Sequence, residues 1–295
     1  MSLTTQQLID RALDLISRIE CRFFPQDRVL DWESFIAFRW RSTHLSHSGY
    51  LEPISNTHSI QLKHLCGVDS QKQRLIQNTR QFISGLPANN VLLWGSRGTG
   101  KSSLVKAILN KFAYQGLRLI EVDKHELIHL PDIIAQVIQR PEYFILFCDD
   151  LSFEADDPGY KSLKVVLDGS ISTAPKNVLV YATSNRRHLL PEYELENQQT
   201  QLINNEIHHG EAVEEKIALS DRFGLWLSFY PINQQGYLDI IHTWLQYHEI
   251  GPELWEEADK AALQWALARG SRSGRTAWQF AQDFTGSQKL KNKFR

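Results

Sequence analysis

Eight residues, GSRGTGKS at positions 95–102, carry the densest chemistry in the chain. Their glycines free the backbone to wrap around an anion with its N–H groups turned inward, and a helix starting there adds the positive end of its dipole. The pattern is GxxxxGK[ST]. It follows the apolar run VLLWG and precedes a helical stretch, the context that makes it a phosphate-binding loop. Lys101 is expected to reach the β- and γ-phosphates of a nucleotide, and Ser102 to ligate Mg2+. The set expected to hold ATP is Gly95, Ser96, Arg97, Gly98, Thr99, Gly100, Lys101, Ser102 and Ser103.

A second run, ILFCDD, is apolar until it ends in Asp149 and Asp150. A buried strand that delivers acids at its C-terminal end sets them beside the phosphate loop, because ligands of open α/β sheets bind there. Asp149 is then a metal ligand with Ser102, and Asp150 a general base that polarises a water. The run YATSN ends in Asn185, which could hold that water or sense the γ-phosphate; an ordinary turn-capping asparagine is the alternative. Arg222, in SDRF, could supply charge to a neighbouring subunit's phosphate, or pair with an acid of its own chain. In SRSGRT, Arg272 or Arg275 could fold back onto the nucleotide, and the spacing leaves open which.

These residues need a scaffold that brings distant segments together. Short apolar runs at 91–95, 117–123, 143–149, 177–184 and 224–230 read as five strands. The stretches 101–113, 131–139, 159–169 and 212–221 read as helices long enough for crossovers between parallel strands. The expectation is an α/β three-layer sandwich built on a five-stranded parallel sheet. After Pro231 the spacing turns helical: Tyr237, Ile240, Ile241, Trp244 and Leu245 make one stripe, and Ala261, Leu263, Trp265, Ala266 and Leu267 another. Residues 1–60 open with Leu8, Ala12, Leu15, Ile16 and Ile19 at helical spacing and continue rich in aromatics, which predicts a helical N-terminal segment. The expected division is 1–60, 61–231 and 232–295. The polar stretch 190–216 holds seven Glu and one Lys, and its length marks it as mobile or functional.

Composition bounds the rest. In 295 residues, 42% apolar and 22% charged, there is enough apolar surface for a packed core, and the Gly and Pro shares exclude collagen-like or wholly disordered chains. With 32 basic against 34 acidic residues, the net charge of −2 excludes a global positive field toward nucleic acid or membrane. Basic patches are short: Arg186, Arg187 and His188, and the tail from Lys289 to Arg295. Three cysteines without CxxC spacing point to a reducing compartment. No long apolar run reads as a membrane span or signal peptide, so the expected location is the cytoplasm.

In their order along residues 60–295, the motifs resemble those of AAA+ ATPases: GSRGTGKS is similar to Walker A, ILFCDD to Walker B, YATSN to sensor 1, SDRF to the arginine-finger box and SGRTA to sensor 2. More narrowly, GVDSQKQRLIQNT, LPANNVLLWGSRGTGKSSLVKA, YATSNRRHLLPE, GEAVEEKIALSDRFGLW and SRSGRTAWQF resemble the bacterial DUF815 group of P-loop ATPases. The resemblance implies that Leu65 to Asp69, with Val68 among them, border the adenine. It also implies that Asn185 is a sensor, Arg222 a finger acting on a neighbouring subunit, and Arg275 the sensor of a helical lid. Two departures stand out. Asp150 occupies a position where such enzymes usually have Glu, which moves the base back by about one methylene. Lys124 to His129, where threading unfoldases carry an aromatic-apolar-Gly loop, has neither aromatic nor glycine, which argues against polypeptide translocation.

The expected activity is ATP hydrolysis at the interfaces of a homo-oligomer, driving the remodelling or loading of a macromolecular partner. The acidic stretch favours protein over DNA as that partner. The alternative is a nucleotide-switched adaptor with slow or vestigial hydrolysis. A small-molecule kinase would leave Arg222 and the C-terminal motif unexplained.

Overall fold

The computed structural model describes residues 11, 13–14, 30–42, 49–153, 157–168, 175–187, 189, 201–203, 206–208 and 219–294. The apolar residues Leu8, Ala12, Leu15, Ile16 and Ile19 of the expected opening helix, the 212–218 part of an expected crossover helix, His188, Arg295 and Cys21 lie outside them.

Two strands come first, β1 (Ala37–Ser42) and β2 (Gly49–Pro53), then helix α1 (Asp69–Ile83). The repeating α/β part is β3 (Val91–Gly95), α2 (Lys101–Phe112), β4 (Leu117–Glu121), α3 (Leu130–Val137), β5 (Tyr143–Cys148), α4 (Pro158–Asp168) and β6 (Val178–Ser184). Short strands β7 (Gln201–Ile203) and β8 (Glu206–His208) pair antiparallel inside the acidic stretch. Strand β9 (Leu225–Phe229) closes this part, and α5 (Gln234–Tyr247), α6 (Trp255–Ala268) and α7 (Gly274–Lys293) complete the chain.

The main sheet runs β2-β1-β4-β5-β6-β3-β9, parallel throughout except for the antiparallel edge pair β1–β2. Its central strands are continuous apolar runs because both faces are covered: Val91, Leu92 and Leu93 are all fully buried. One face packs a core with Leu92, Leu146, Phe144 and Leu163 against α3 and α4; the other packs Leu93, Leu104, Ile108 and Leu75 against α1 and α2. Each fully buried side chain of this size contributes roughly 1.5–3 kcal/mol relative to exposure. The five expected strands are β4, β5, β6, β3 and β9, and the phosphate-loop strand β3 lies between β6 and β9.

The expectation of a five-stranded sheet behind a helical N-terminal segment needs correction, because residues 37–53 extend the sheet to seven strands. The physical reason is an alternation overlooked among the aromatics. Phe38 and Trp40 are buried, whereas Arg39 and Arg41 point outward, a period of two rather than 3.6. Arg39 pairs with Glu121 on β4 at 2.6 Å, Arg41 with Glu52 on β2 at 2.9 Å, and the buried Arg118 donates to the Trp32 carbonyl at 2.8 and 2.6 Å.

The three C-terminal helices have their own apolar core, in which Tyr237, Ile240, Ile241, Leu245, Phe280 and Phe284 interlock. The first expected stripe is buried in that register except for Trp244, which is only partly buried. The second is shifted: α6 turns Ala258, Ala262 and Ala266 inward and leaves Leu267 84% exposed. Small side chains at i and i+4 let α6 approach its neighbours closely. Asn233 caps α5 by accepting from the Gly236 N–H at 2.8 Å, and Ser273 caps α7 by accepting from Thr276 at 3.2 Å. Among the described residues, no helix is long and apolar enough to cross a membrane.

Candidate functional site

The phosphate loop joins β3 to α2, and its geometry depends on glycine at two positions. Gly95 has φ +128°, and a Cβ there would meet the Phe229 carbonyl oxygen at 2.0 Å, so only glycine lets β3 turn away beside β9. Gly98 has φ +70° and lies against the start of α7: its carbonyl accepts the Gly274 N–H at 2.7 Å, and a Cβ would meet that of Ser273 at 2.7 Å. The last helical segment is thereby docked on the loop. Thr99 Oγ1 donates to the Ser96 carbonyl at 2.7 Å and braces the turn.

Lys101, the first residue of α2, is buried, and its ammonium donates to the carbonyls of Gly95 and Ser96, both at 2.8 Å, and to Asn185 Oδ1 at 3.2 Å. Burial pushes this ammonium below the usual lysine range, while Asp150 and Asp149 pull it back up. Such a cation gains most when a strong anion approaches.

Two carboxylates just after β5, with Thr183 and Asn185 at the end of the adjacent β6, complete the arrangement. Asp149 Oδ1 accepts from Ser102 Oγ and from Thr183 Oγ1, both at 2.5 Å. Thr183 Oγ1 also accepts the Asp150 N–H at 2.9 Å, which locks the turn after β5 to the end of β6. Asp150 has φ +51°, a left-handed conformation that Asp tolerates better than most residues, and it accepts a hydrogen bond from the Asn185 amide. Asn185 therefore bridges Lys101 and Asp150. Cys148, just before the pair, is walled in completely, and burial pushes its thiol up to about 12, so it serves as inert packing.

These groups open onto one cleft of about 790 Å³. Its walls include Arg97 to Ser103 of the loop, Asp149, Asp150, Thr183 and Asn185, as well as Leu65 and Val68. Gly95 and Ser96, expected in the same set, are not among its lining residues; their carbonyls accept from the Lys101 ammonium behind it. Arg275 lines the cleft, and Arg272 is not among its lining residues. Arg222 is also outside it and forms an ion pair with Asp168 at the end of α4. Thr183 is a site residue that the sequence reading passed over within YATSN. His64, Trp244, Tyr247 and Trp278 also line the cleft; of these the sequence pattern singles out only Trp244, as part of an apolar helical stripe. Of the basic patches, Arg187 lies over the Trp94 ring at 5.6 Å, and Lys289, Lys291 and Lys293 lie on the exposed end of α7.

The donor set fits a nucleoside triphosphate with Mg2+: a buried ammonium and inward loop for phosphate, and a hydroxyl and carboxylate 2.5 Å apart as hard oxygen ligands. Residues 33–288 match the family model described as Protein of unknown function (DUF815). The chain belongs to the DUF815 family. A replication factor C large subunit from Methanococcus maripaludis is 34% identical over 77 residues, which is 26% of this chain and 15% of that relative. The DUF815 chain is thus matched to about one seventh of that protein. Among solved structures, the Holliday junction branch migration motor RuvB of Thermotoga maritima has a TM-score of 0.42 at 14% identity, covering 76% of this chain and 71% of its own. The FIGL-1 AAA domain in complex with ADP has a TM-score of 0.49 at 17% identity, covering 78% of this chain and 74% of its own.

Proposed function

We propose that this DUF815 protein binds ATP with Mg2+ between an α/β domain (61–231, joined by residues 30–60) and a helical lid (232–295). It hydrolyses the nucleotide at interfaces between its own copies, and the cycle remodels or loads a macromolecular partner in the cytoplasm, a protein rather than DNA. The observation that carries this reading is the pair of linked contacts, Ser102–Asp149–Thr183 and Lys101–Asn185–Asp150, meeting in one cleft.

In this reading the N–H groups of residues 97–102 and the Lys101 ammonium hold the phosphates, and Ser102 and Asp149 hold the metal. Bound Mg2+·ATP supplies an electrophilic γ-phosphate whose charge the metal partly neutralises. Asp150 accepts a proton from the attacking water at its carboxylate, and Asn185 fixes that carboxylate's direction. Arg275 senses the nucleotide from the lid. Arg222, outside its own cleft, acts on the site of the neighbouring copy after exchanging its Asp168 partner for phosphate. A second reading, a nucleotide-switched adaptor with slow hydrolysis, is favoured by the short reach of Asp150.

Steady-state turnover against protein concentration separates the two. The oligomeric enzyme gives a rate per chain that rises with concentration and falls about a thousandfold in Arg222→Ala. A rate per chain independent of concentration and of Arg222 supports the adaptor and removes the trans-acting finger.

A further inference from the structure

Asp149 and Asp150 are consecutive, yet both line the cleft. Neighbouring residues of an extended strand point to opposite faces, so a straight continuation of β5 would turn one of the two carboxylates away. The chain avoids this with a left-handed residue. Asp150 has φ +51°, and its carboxylate accepts from the Asn185 amide, whose own oxygen accepts from Lys101.

The end of β6 holds that conformation. Thr183 is 1% exposed, and its single hydroxyl proton goes to Asp149 Oδ1 at 2.5 Å, so the same oxygen is left to accept the Asp150 N–H at 2.9 Å. One residue on, the Leu151 N–H donates to the Thr183 carbonyl at 2.7 Å, and the buried Ser184 hydroxyl donates to the Leu151 carbonyl at 2.7 Å. The backbone is thus fastened to the tip of β6 on both sides of Asp150.

We propose that Thr183 is a positioning residue that fixes Asp150 in its left-handed turn, and that this turn makes aspartate, rather than glutamate, the acid of the right length to act as base here. The inference rests on the hydrolytic reading given above and bears on its alternative, because the methylene missing at position 150 is made up by the backbone. Asp is among the few side chains that adopt such a turn readily, and Glu is not. The longer side chain would also carry its carboxylate past the Asn185 amide.

Steady-state turnover of the full chain, with equilibrium titration of a non-hydrolysable ATP analogue and Mg2+, tests it. Asp150→Glu restores the missing methylene on an exposed side chain. It is expected to lower kcat about a hundredfold, the scale of loss when a reacting group is misplaced by about 1 Å, and to leave analogue affinity unchanged. Thr183→Val keeps the shape and removes the hydroxyl; kcat is expected to fall about a hundredfold here too, with analogue affinity kept, and Thr183→Ser to restore most of the rate. In the Thr183→Val background the turn is released, so adding Asp150→Glu costs little more and the two losses do not add. An Asp150→Glu chain as active as the unaltered one, or more so, shows that reach limits the base and overturns the proposal with the nucleotide site left standing. Undiminished kcat in Thr183→Val overturns it as well. If urea unfolding shows that Thr183→Val does not fold, Asp150→Glu decides alone. An unaltered chain that binds the analogue without turning ATP over overturns the hydrolytic reading and this inference together, and one that binds no analogue overturns the nucleotide site too.

Discussion

The two ends of the cleft are made in different ways. At the phosphate end, the loop after β3 and the strand tips of β5 and β6 present backbone N–H groups, one ammonium, two carboxylates and two hydroxyls, joined by hydrogen bonds mostly of 2.5–3.2 Å. At the other end, one loop histidine and three lid aromatics meet without a charged group among them. In the reading proposed above, the contrast follows from what each end would recognise. A polyanion is held by directional donors whose spacing a short local sequence can set. A flat base is held by area, which side chains from separate elements must assemble.

If the phosphate end divides chemistry from binding, Asp150→Asn should slow ATP turnover by about 10²–10⁴-fold and leave ATP affinity nearly unchanged. Equal losses in both would mean that Asp150 holds the nucleotide instead of activating water, and the contrast would blur. Lys101→Ala is expected to weaken ATP and tripolyphosphate together by about a hundredfold, the worth of a charge-assisted donor to phosphate. Calorimetric titration that found only ATP weakened would assign Lys101 to the base end.

Where the two ends join, Gly98→Ala sets a Cβ 2.7 Å from that of Ser273 in a left-handed backbone. Overpacking of this kind costs about 1–3 kcal/mol, and urea unfolding should show it; an unchanged midpoint would mean that α7 is not docked on the loop. The smallest effect concerns pH. Burial holds His64 and His248 below their ordinary value of 6.5, with Lys63 and Lys289 pushing the same way. The unfolded chain then takes up more protons in mildly acidic solution, so stability falls as pH drops through 6.5. Melting curves at successive pH values should flatten in a His64→Phe, His248→Phe chain, and a decline of the same size there would place the pH sensitivity elsewhere.

Much of the phosphate end is legible because its residues are close in sequence or end apolar runs. Gly95 to Ser103 is one segment, and Asp149, Asp150 and Asn185 each follow a strand whose buried character shows in its composition. Strands β1 and β2 were obscured because Phe38 and Trp40 alternate over too few residues to stand out in an aromatic-rich stretch. Trp244 illustrates the harder case. Its helical spacing assigns it to the lid core, where it does pack, and nothing in that spacing reveals that it also faces the cleft beside His64. The contact of Arg222 with Asp168 is likewise invisible, since 54 positions separate two residues that only the packing of α4 near the start of β9 brings together.

The sequence by itself determined that this DUF815 chain carries a glycine-rich GxxxxGKS loop after one buried strand and a pair of acids at the end of another, on an α/β sheet. Local spacing suffices for these, because backbone conformation and strand ends set them. Only the tertiary structure decided that the sheet has seven strands, that Arg275 rather than Arg272 lines the cleft, and that lid and core close it with a wall of rings. Each of those depends on which faces of distant elements meet, and that is settled by burial over the whole molecule rather than by any one segment.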